Sequence, residues 1–243
     1  MGAYAGMVLG LIAATLVRGK LQPRGRKALA ATAVLASCSL VALWVSYSRS
    51  ALVAGLAMVL IVAAVAFSRI ISRRMWIGLG VATCALVAGL VASLGTPLVS
   101  NVLLHENREG GSAVNSNEGH FQSLQAGVQA MLRQPFGGGV GSTGSASLLG
   151  GGETVVIENQ YLFVAHEAGW LGLLLFVALY VVLLKRLYRR KSDWLALGIF
   201  ASGIGLALIG LLLPVWADDT VSIVWWGLAA VAIGGSHGRK QAE

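Results

Sequence analysis

Residues 161–184 read YLFVAHEAGWLGLLLFVALYVVLL and run directly into Lys185-Arg186-Leu187-Tyr188-Arg189-Arg190-Lys191. An apolar stretch that exceeds the roughly 20 residues needed to cross a hydrocarbon core at 1.5 Å per residue reads as a transmembrane helix. The basic cluster at its end marks a cytoplasmic boundary. Working outward, the same pattern recurs at Gly2 to Val17, Ala28 to Ser46, Ala51 to Phe67, Met75 to Leu94, Trp194 to Val215 and Thr220 to Gly235. The expectation is an all-α, polytopic bundle of about seven spans forming a single membrane domain over residues 1–243. Composition agrees, since 56% of the chain is hydrophobic and 12% charged, about half the charge of an ordinary soluble domain. Mean hydropathy is +0.76.

A net charge of +8 raises nucleic acid as a partner, but the basic residues follow the positive-inside rule instead. Arg18, Lys20, Arg24, Arg26 and Lys27 fall in one loop, and Arg69, Arg73 and Arg74 fall in the next alternate one. The third cluster lies at 185–191, and Arg239 and Lys240 sit in the tail. Fifteen of the 18 basic residues thus share one face, which is cytoplasmic. Arg49, Arg108 and Arg133 lie on the other, with most of the acids. Met1 is then outside and the number of spans odd, a start that suggests further spans in full-length relatives. The first run lacks a basic n-region and a small-residue cleavage site, so it is no signal peptide. Cys38 and Cys84 fall within spans and behave as small apolar residues.

The outward segment, about 101–160, is the one sizeable polar stretch. Phe121, Leu124, Val128, Met131 and Leu132 recur at helical spacing between an N-cap candidate at Asn117 and a stop at Pro135. They describe an amphipathic helix lying on the bundle or on the membrane surface. Gly137-Gly138-Gly139-Val140-Gly141-Ser142-Thr143-Gly144 follows, then Gly150-Gly151-Gly152, both flexible or tight-turning. No Gly-Lys-Ser/Thr completes a Walker motif, and cytoplasmic nucleotides do not reach this face.

The spans hold almost no ionisable residue, which weakens a transporter reading. Reactive side chains gather at the outer mouth: Arg49, His105, Arg108, His120, Arg133, Glu158, His166 and Glu167. Arg49 occupies a tight turn, Ser46-Tyr47-Ser48-Arg49-Ser50, and its fork suits phosphate oxygens. It equally fits an interfacial arginine that snorkels to lipid headgroups. His120 opens the amphipathic helix, where free N–H groups favour an anion, or it is a solvated surface histidine. Glu158 precedes the span at 161 and could take a proton from a sugar hydroxyl, or serve as an ordinary polar flank. The histidines lack the spacing of a zinc set, so no metal and no cofactor is expected.

In order and spacing, four segments resemble the O-antigen ligase and Wzy-type polymerase superfamily of membrane glycosyltransferases. Ser48-Arg49-Ser50-Ala51 is similar to the family's Ser-Arg-small turn. Arg133-Gln134-Pro135-Phe136-Gly137-Gly138-Gly139 resembles its Pro-x-Gly-x-Gly segment after a loop helix. Asn159-Gln160-Tyr161-Leu162 and Glu167-Ala168-Gly169-Trp170-Leu171-Gly172 resemble its Asn-x-Tyr-Leu and Glu-x-Gly-x-x-Gly signature. The likeness spans about Ala28 to Leu184. Glu158 stands where lipopolysaccharide ligases carry His, and His120 where they carry a second arginine. Those departures point to a polymerase or ligase of another surface polysaccharide.

The resemblance implies a donor glycan on a polyprenyl pyrophosphate, undecaprenyl pyrophosphate in bacteria, and a sugar hydroxyl on a glycan or lipid as acceptor. It implies work at the outer face of the bacterial cytoplasmic membrane, in surface polysaccharide synthesis. Arg49 and His120 would then hold the pyrophosphate and Glu158 would activate or orient the acceptor. Arg108, Arg133, Asn159, Tyr161 and Glu167 would line the substrate site. The bilayer is the other partner, and nucleic acid is not expected. Rival classes are a non-catalytic export or flippase-type protein, which would bind pyrophosphate without needing Glu158, and a truncated, inactive remnant.

Overall fold

A computed structural model of the chain describes residues 1–18, 25–68, 116–149 and 156–235, with 116–121, 145 and 149 described by backbone only. The described residues form seven α-helices: α1 (Gly2–Arg18), α2 (Arg26–Val45), α3 (Arg49–Phe67), α4 (Ser116–Arg133), α5 (Gln160–Arg189), α6 (Trp194–Ile209) and α7 (Asp219–Gly234). All but α4 coincide with expected spans. The span expected at Met75 to Leu94 lies outside the described residues. Nearly everything described belongs to one compact unit, Met1–Ala66 with Asn117–Glu243. The second unit, Phe67–Ser116, is described only at its ends.

Of these helices α2, α3 and α5 are long and apolar enough to cross a membrane, and α1, α6 and α7 are shorter apolar helices. Helix α2 shows why the chain is an integral membrane protein. Leu29, Val34, Leu35, Leu40, Val41, Trp44 and Val45 are all exposed, whereas only Ser39 and Leu43 are buried. Water would penalise such a helix heavily, but lipid does not.

Inside lipid, helices associate through close packing of small residues rather than through hydrophobic burial. Helices α1, α3 and α6 follow this rule. A side chain added at Gly6 would sit 3.3 Å from the Gly55 backbone, and one at Gly198 would sit 2.8 Å from Leu11 and 3.3 Å from Ala14. Met58 fills the space that Gly10 and Gly205 leave open. An aromatic group of Tyr180, Trp216, Trp225 and Trp226, with ring centroids 5.0–6.3 Å apart, binds α5 to α7. Two of its polar atoms bond to α6: the Tyr180 hydroxyl donates to the Gly203 carbonyl, and Trp225 Nε1 donates to the Ile199 carbonyl.

Helix ends carry the caps that short polar residues supply. Asp193 accepts the Ala196 N–H at 3.0 Å, and Asp218 accepts the Thr220 N–H at 3.0 Å. At the basic end of α5, Arg190 donates to the Ala232 carbonyl and Lys191 lies 4.3 Å from the Tyr188 ring centre. Two boundaries differ from expectation: α5 continues to Arg189, past the expected end at Leu184, and α6 stops early. The run at Trp194 to Val215 is helical only to Ile209. Pro214 opposes a helical residue before it, and the carbonyls of Gly210 and Leu211 are taken by the start of α5.

Candidate functional site

The turn before α3 is built by serines. Ser46 Oγ donates to the Leu43 carbonyl at 2.7 Å, and Ser48 Oγ accepts the Ala51 N–H at 3.3 Å while contacting Ser50 Oγ at 3.1 Å. Ser48 is therefore the N-cap of α3, and Tyr47 bends the chain with a φ of 50°. The outcome is an exposed Arg49 at the first helical position. Its positive charge adds to the positive end of the helix dipole. Beside this turn opens a cleft of about 310 Å³, lined by Ser46, Ser48, Ala51, Pro214, Val215 and Asp218 among others.

The segment that borders this cleft also anchors the second motif. Asn159 caps α5, its Oδ1 accepting the N–H groups of Tyr161 and Leu162 at 2.9 and 3.0 Å, while its Nδ2 donates to the Leu211 carbonyl at 2.8 Å. Gln160 donates its N–H to the Gly210 carbonyl and accepts the Trp216 N–H on Oε1, both at 2.8 Å. The Tyr161 hydroxyl donates to the Ala207 carbonyl at 3.0 Å. Asn159, Gln160 and Tyr161 thus clasp the start of α5 to residues 207–216. The turn that presents Arg49 and the clasp that follows Glu158 consequently border the same connection between α6 and α7. Asn159→Ala removes the cap and the Leu211 bond together, and is expected to cost about 1–2 kcal/mol. Thermal unfolding in detergent should register the loss as a lower Tm.

Glu158 sits between this clasp and α4. Ser123 Oγ accepts the Glu158 N–H at 2.9 Å and donates to the Val156 carbonyl at 3.1 Å, and Ile157 between them is buried. Helix α4 fits here because Gly127 has no side chain, since a Cβ would lie 3.1 Å from both Ile157 and Leu162. Glu158 is partly buried, and its Oε2 is enclosed by protein.

The glycine run proves to be a fixed strap rather than a slack loop. Helix α5 is interrupted at Gly169, with φ 72° and ψ −177°, which strips the His166 and Glu167 carbonyls of their helical donors. The strap replaces them: Gly138 N–H donates to the His166 carbonyl at 2.6 Å and Gly139 N–H to the Glu167 carbonyl at 3.1 Å. In return the Trp170 N–H donates to the Pro135 carbonyl at 3.0 Å, and Trp170 Nε1 donates to the Met131 carbonyl at 2.8 Å. The Glu167 carboxylate accepts the Gly141 N–H at 2.9 Å. The amides that a phosphate cradle would need are therefore engaged within the protein. Proline-glycine and glutamate-glycine motifs, far apart in sequence, prove to be two halves of one backbone joint.

Sequence reasoning passed over a polar nook on this joint. Gln134 Oε1, Ser142 Oγ and His166 Nε2 lie 3.0, 3.1 and 3.4 Å from the point where a Gly138 side chain would begin. His166 is buried, 4% exposed, and its Nδ1 has no hydrogen-bond partner among the described residues. Its signal in the sequence was only a histidine beside the Glu-x-Gly motif.

The positions expected to act stand as follows. Arg49 is exposed at the start of α3, Glu158 is partly buried beside Ser123 of α4, and Asn159, Tyr161 and Glu167 make the backbone contacts just described. Arg133 ends α4 and is exposed. His120 lies in α4, only its backbone being described, and Arg108 lies outside the described residues. Among the described residues no group of three or more His, Cys, Asp or Glu is placed to hold a metal ion.

A family model described as O-antigen ligase matches residues 34–177. The matched span takes in the Arg49 turn, α4, the glycine strap and the first half of α5. No curated protein matches the chain.

Proposed function

Because the chain belongs to the O-antigen ligase family, whose members process glycans at membranes, we propose that it is a membrane glycosyltransferase. It moves a glycan from a polyprenyl-pyrophosphate donor to a sugar hydroxyl, lengthening or attaching a surface polysaccharide on the outer side of the membrane. The observation that supports this reading is the shared border: the turn that presents Arg49 and the Asn159–Gln160 clasp that follows Glu158 meet one connecting segment, at 209–218.

The acceptor oxygen attacks the anomeric carbon of the donor. A carbon–oxygen bond to acceptor forms as the carbon–oxygen bond to pyrophosphate breaks. The leaving group is stabilised as it departs, so holding it in line contributes more than proton transfer does. Arg49 binds the pyrophosphate oxygens through its fork, reinforced by the α3 N-terminus, and His120 assists from α4. Arg108 and Arg133 add positive charge near the donor. Glu158 accepts the acceptor's proton or fixes the direction of its hydroxyl. The nook over Gly138 offers another sugar hydroxyl partners from Gln134, Ser142 and His166. Asn159, Tyr161 and Glu167 support the site by holding its backbone. No metal or cofactor takes part in these steps.

The test is transfer by purified chain in liposomes supplied with a polyprenyl-pyrophosphate oligosaccharide, read as longer glycan plus released polyprenyl pyrophosphate. Glu158→Gln keeps the shape and removes the base. It should lower turnover by about 100-fold or more while donor binding is retained. Unchanged turnover would remove Glu158 from the mechanism. A wild-type protein that binds the donor without transferring would make the chain an export or flippase-type component instead.

A further inference from the structure

Helix α4 packs on the protein through its small residues, Ser123 against 156–158 and Gly127 against Ile157 and Leu162. That leaves three of its large apolar residues outside the contact. Leu124, Val128 and Leu132, spaced four apart and so on one stripe, are all exposed. The stripe continues past the helix end, where Leu132 is 61%, Phe136 96% and Val140 94% exposed. Gln122, Gln125 and Gln129 are exposed as well, and Arg133 closes the helix. An amphipathic helix with bare leucines and valines on one flank and glutamines on another matches the pattern of helices that lie in a membrane interface.

The fold also fixes the level of this stripe. The strap is joined to α5 at 166–170, and immediately beyond the joint Trp170, Leu171, Leu174 and Leu175 are exposed on a helix long and apolar enough to cross a membrane. Those residues form a lipid-facing flank, headed by a tryptophan of the kind that marks the headgroup level. Phe136 lies against the joint itself, since a Cβ on Gly169 would approach its carbonyl carbon to 2.7 Å. The bare stripe of α4 and its loop therefore begins where the lipid-facing flank of α5 begins.

We propose that α4 and the loop after it are seated on the membrane surface, with Leu132, Phe136 and Val140 inserted among lipid acyl chains beside the outer end of α5's apolar flank. Arg133 then lies at the level of lipid phosphates. The occupant of this apolar surface is the bilayer, because the stripe continues a flank that already faces lipid. The proposal stands independently of the transfer chemistry.

The test places an environment-sensitive bimane at Leu132→Cys, Phe136→Cys or Val140→Cys, each in a Cys38→Ala, Cys84→Ala background. Gln129→Cys on the polar flank is the control. The full chain is reconstituted in nanodiscs of phosphatidylethanolamine and phosphatidylglycerol, with lipids spin-labelled near the headgroup end of the acyl chain. Quenching by these lipids should be at least about twofold stronger at 132, 136 and 140 than at 129, and aqueous iodide should show the reverse order. Iodide quenching at 136 and 140 as strong as at 129, without lipid quenching, overturns the proposal. So does shielding from both quenchers accompanied by cross-links between copies, which would make a second copy the occupant. All three positions are exposed, so the substitutions leave packed contacts intact.

Discussion

Arg49→Ala is expected to abolish glycan transfer while the protein still inserts and accumulates. The turn that presents Arg49 is held by Ser46 and Ser48, and the side chain is exposed at the first position of α3. Removing it should leave the helix start intact. On the proposed mechanism its loss strips positive charge from the place where pyrophosphate charge develops, and losses of this kind reduce turnover by about 100-fold or more. Arg49→Lys keeps the charge but not the planar fork, so it too should fall far below wild type. The measurement is polymer output in cells, normalised to membrane-inserted protein, alongside turnover in liposomes. Wild-type output from Arg49→Ala would show an arginine that serves only lipid headgroups, and the transfer mechanism would lose its anion site.

Gly169→Ala should be the most damaging substitution for the fold. Gly169 has φ 72°, and an added Cβ would stand 2.7 Å from both the Pro135 carbonyl oxygen and the Phe136 carbonyl carbon. Neither is a flexible side-chain tip that could move aside. Gly137 meets the same approach from the other side, its own Cβ position being 2.6 Å from the Gly169 nitrogen. Relief requires parting the strap from α5, which breaks the backbone hydrogen bonds that join 135, 138 and 139 to 166, 167 and 170. Strain and lost bonds together should cost more than about 3 kcal/mol. Gly139→Ala is the control: φ is 96° but nothing lies within 4 Å, so only the left-handed backbone penalty of about 1–2 kcal/mol applies. Limited proteolysis of the loop and thermal unfolding should rank the two variants in that order. Equal stability of Gly169→Ala and wild type would mean that the joint does not hold the strap.

Much of this molecule is legible from one dimension because lipid imposes a simple rule. A backbone in hydrocarbon must satisfy its own hydrogen bonds, so apolar runs become helices, and α1, α2, α3 and α7 begin and end near the expected residues. The family could be read too, since its motifs are short, ordered and carried by residues with special backbone or charge properties. The α4 periodicity located the helix but not its contact face. Leucine and valine spacing suggested a face for the bundle or the membrane, whereas the packed face uses Ser123 and Gly127, because a close approach to Ile157 leaves no room for larger side chains.

The amino-acid order by itself determined the apolar helices, the arginine turn and the motif set that places the chain in its family. Only the tertiary structure decided what the motifs do to one another. The Pro-Gly strap and the Glu-Gly break in α5 are a single joint, and the Asn-Gln-Tyr segment clasps residues 207–216, the connection that also borders the Arg49 turn. Each of these pairings engages a backbone amide or carbonyl 28 to 56 residues away in the chain. Backbone groups are the same at every position, so side-chain patterns carry no record of which distant carbonyl an amide will find.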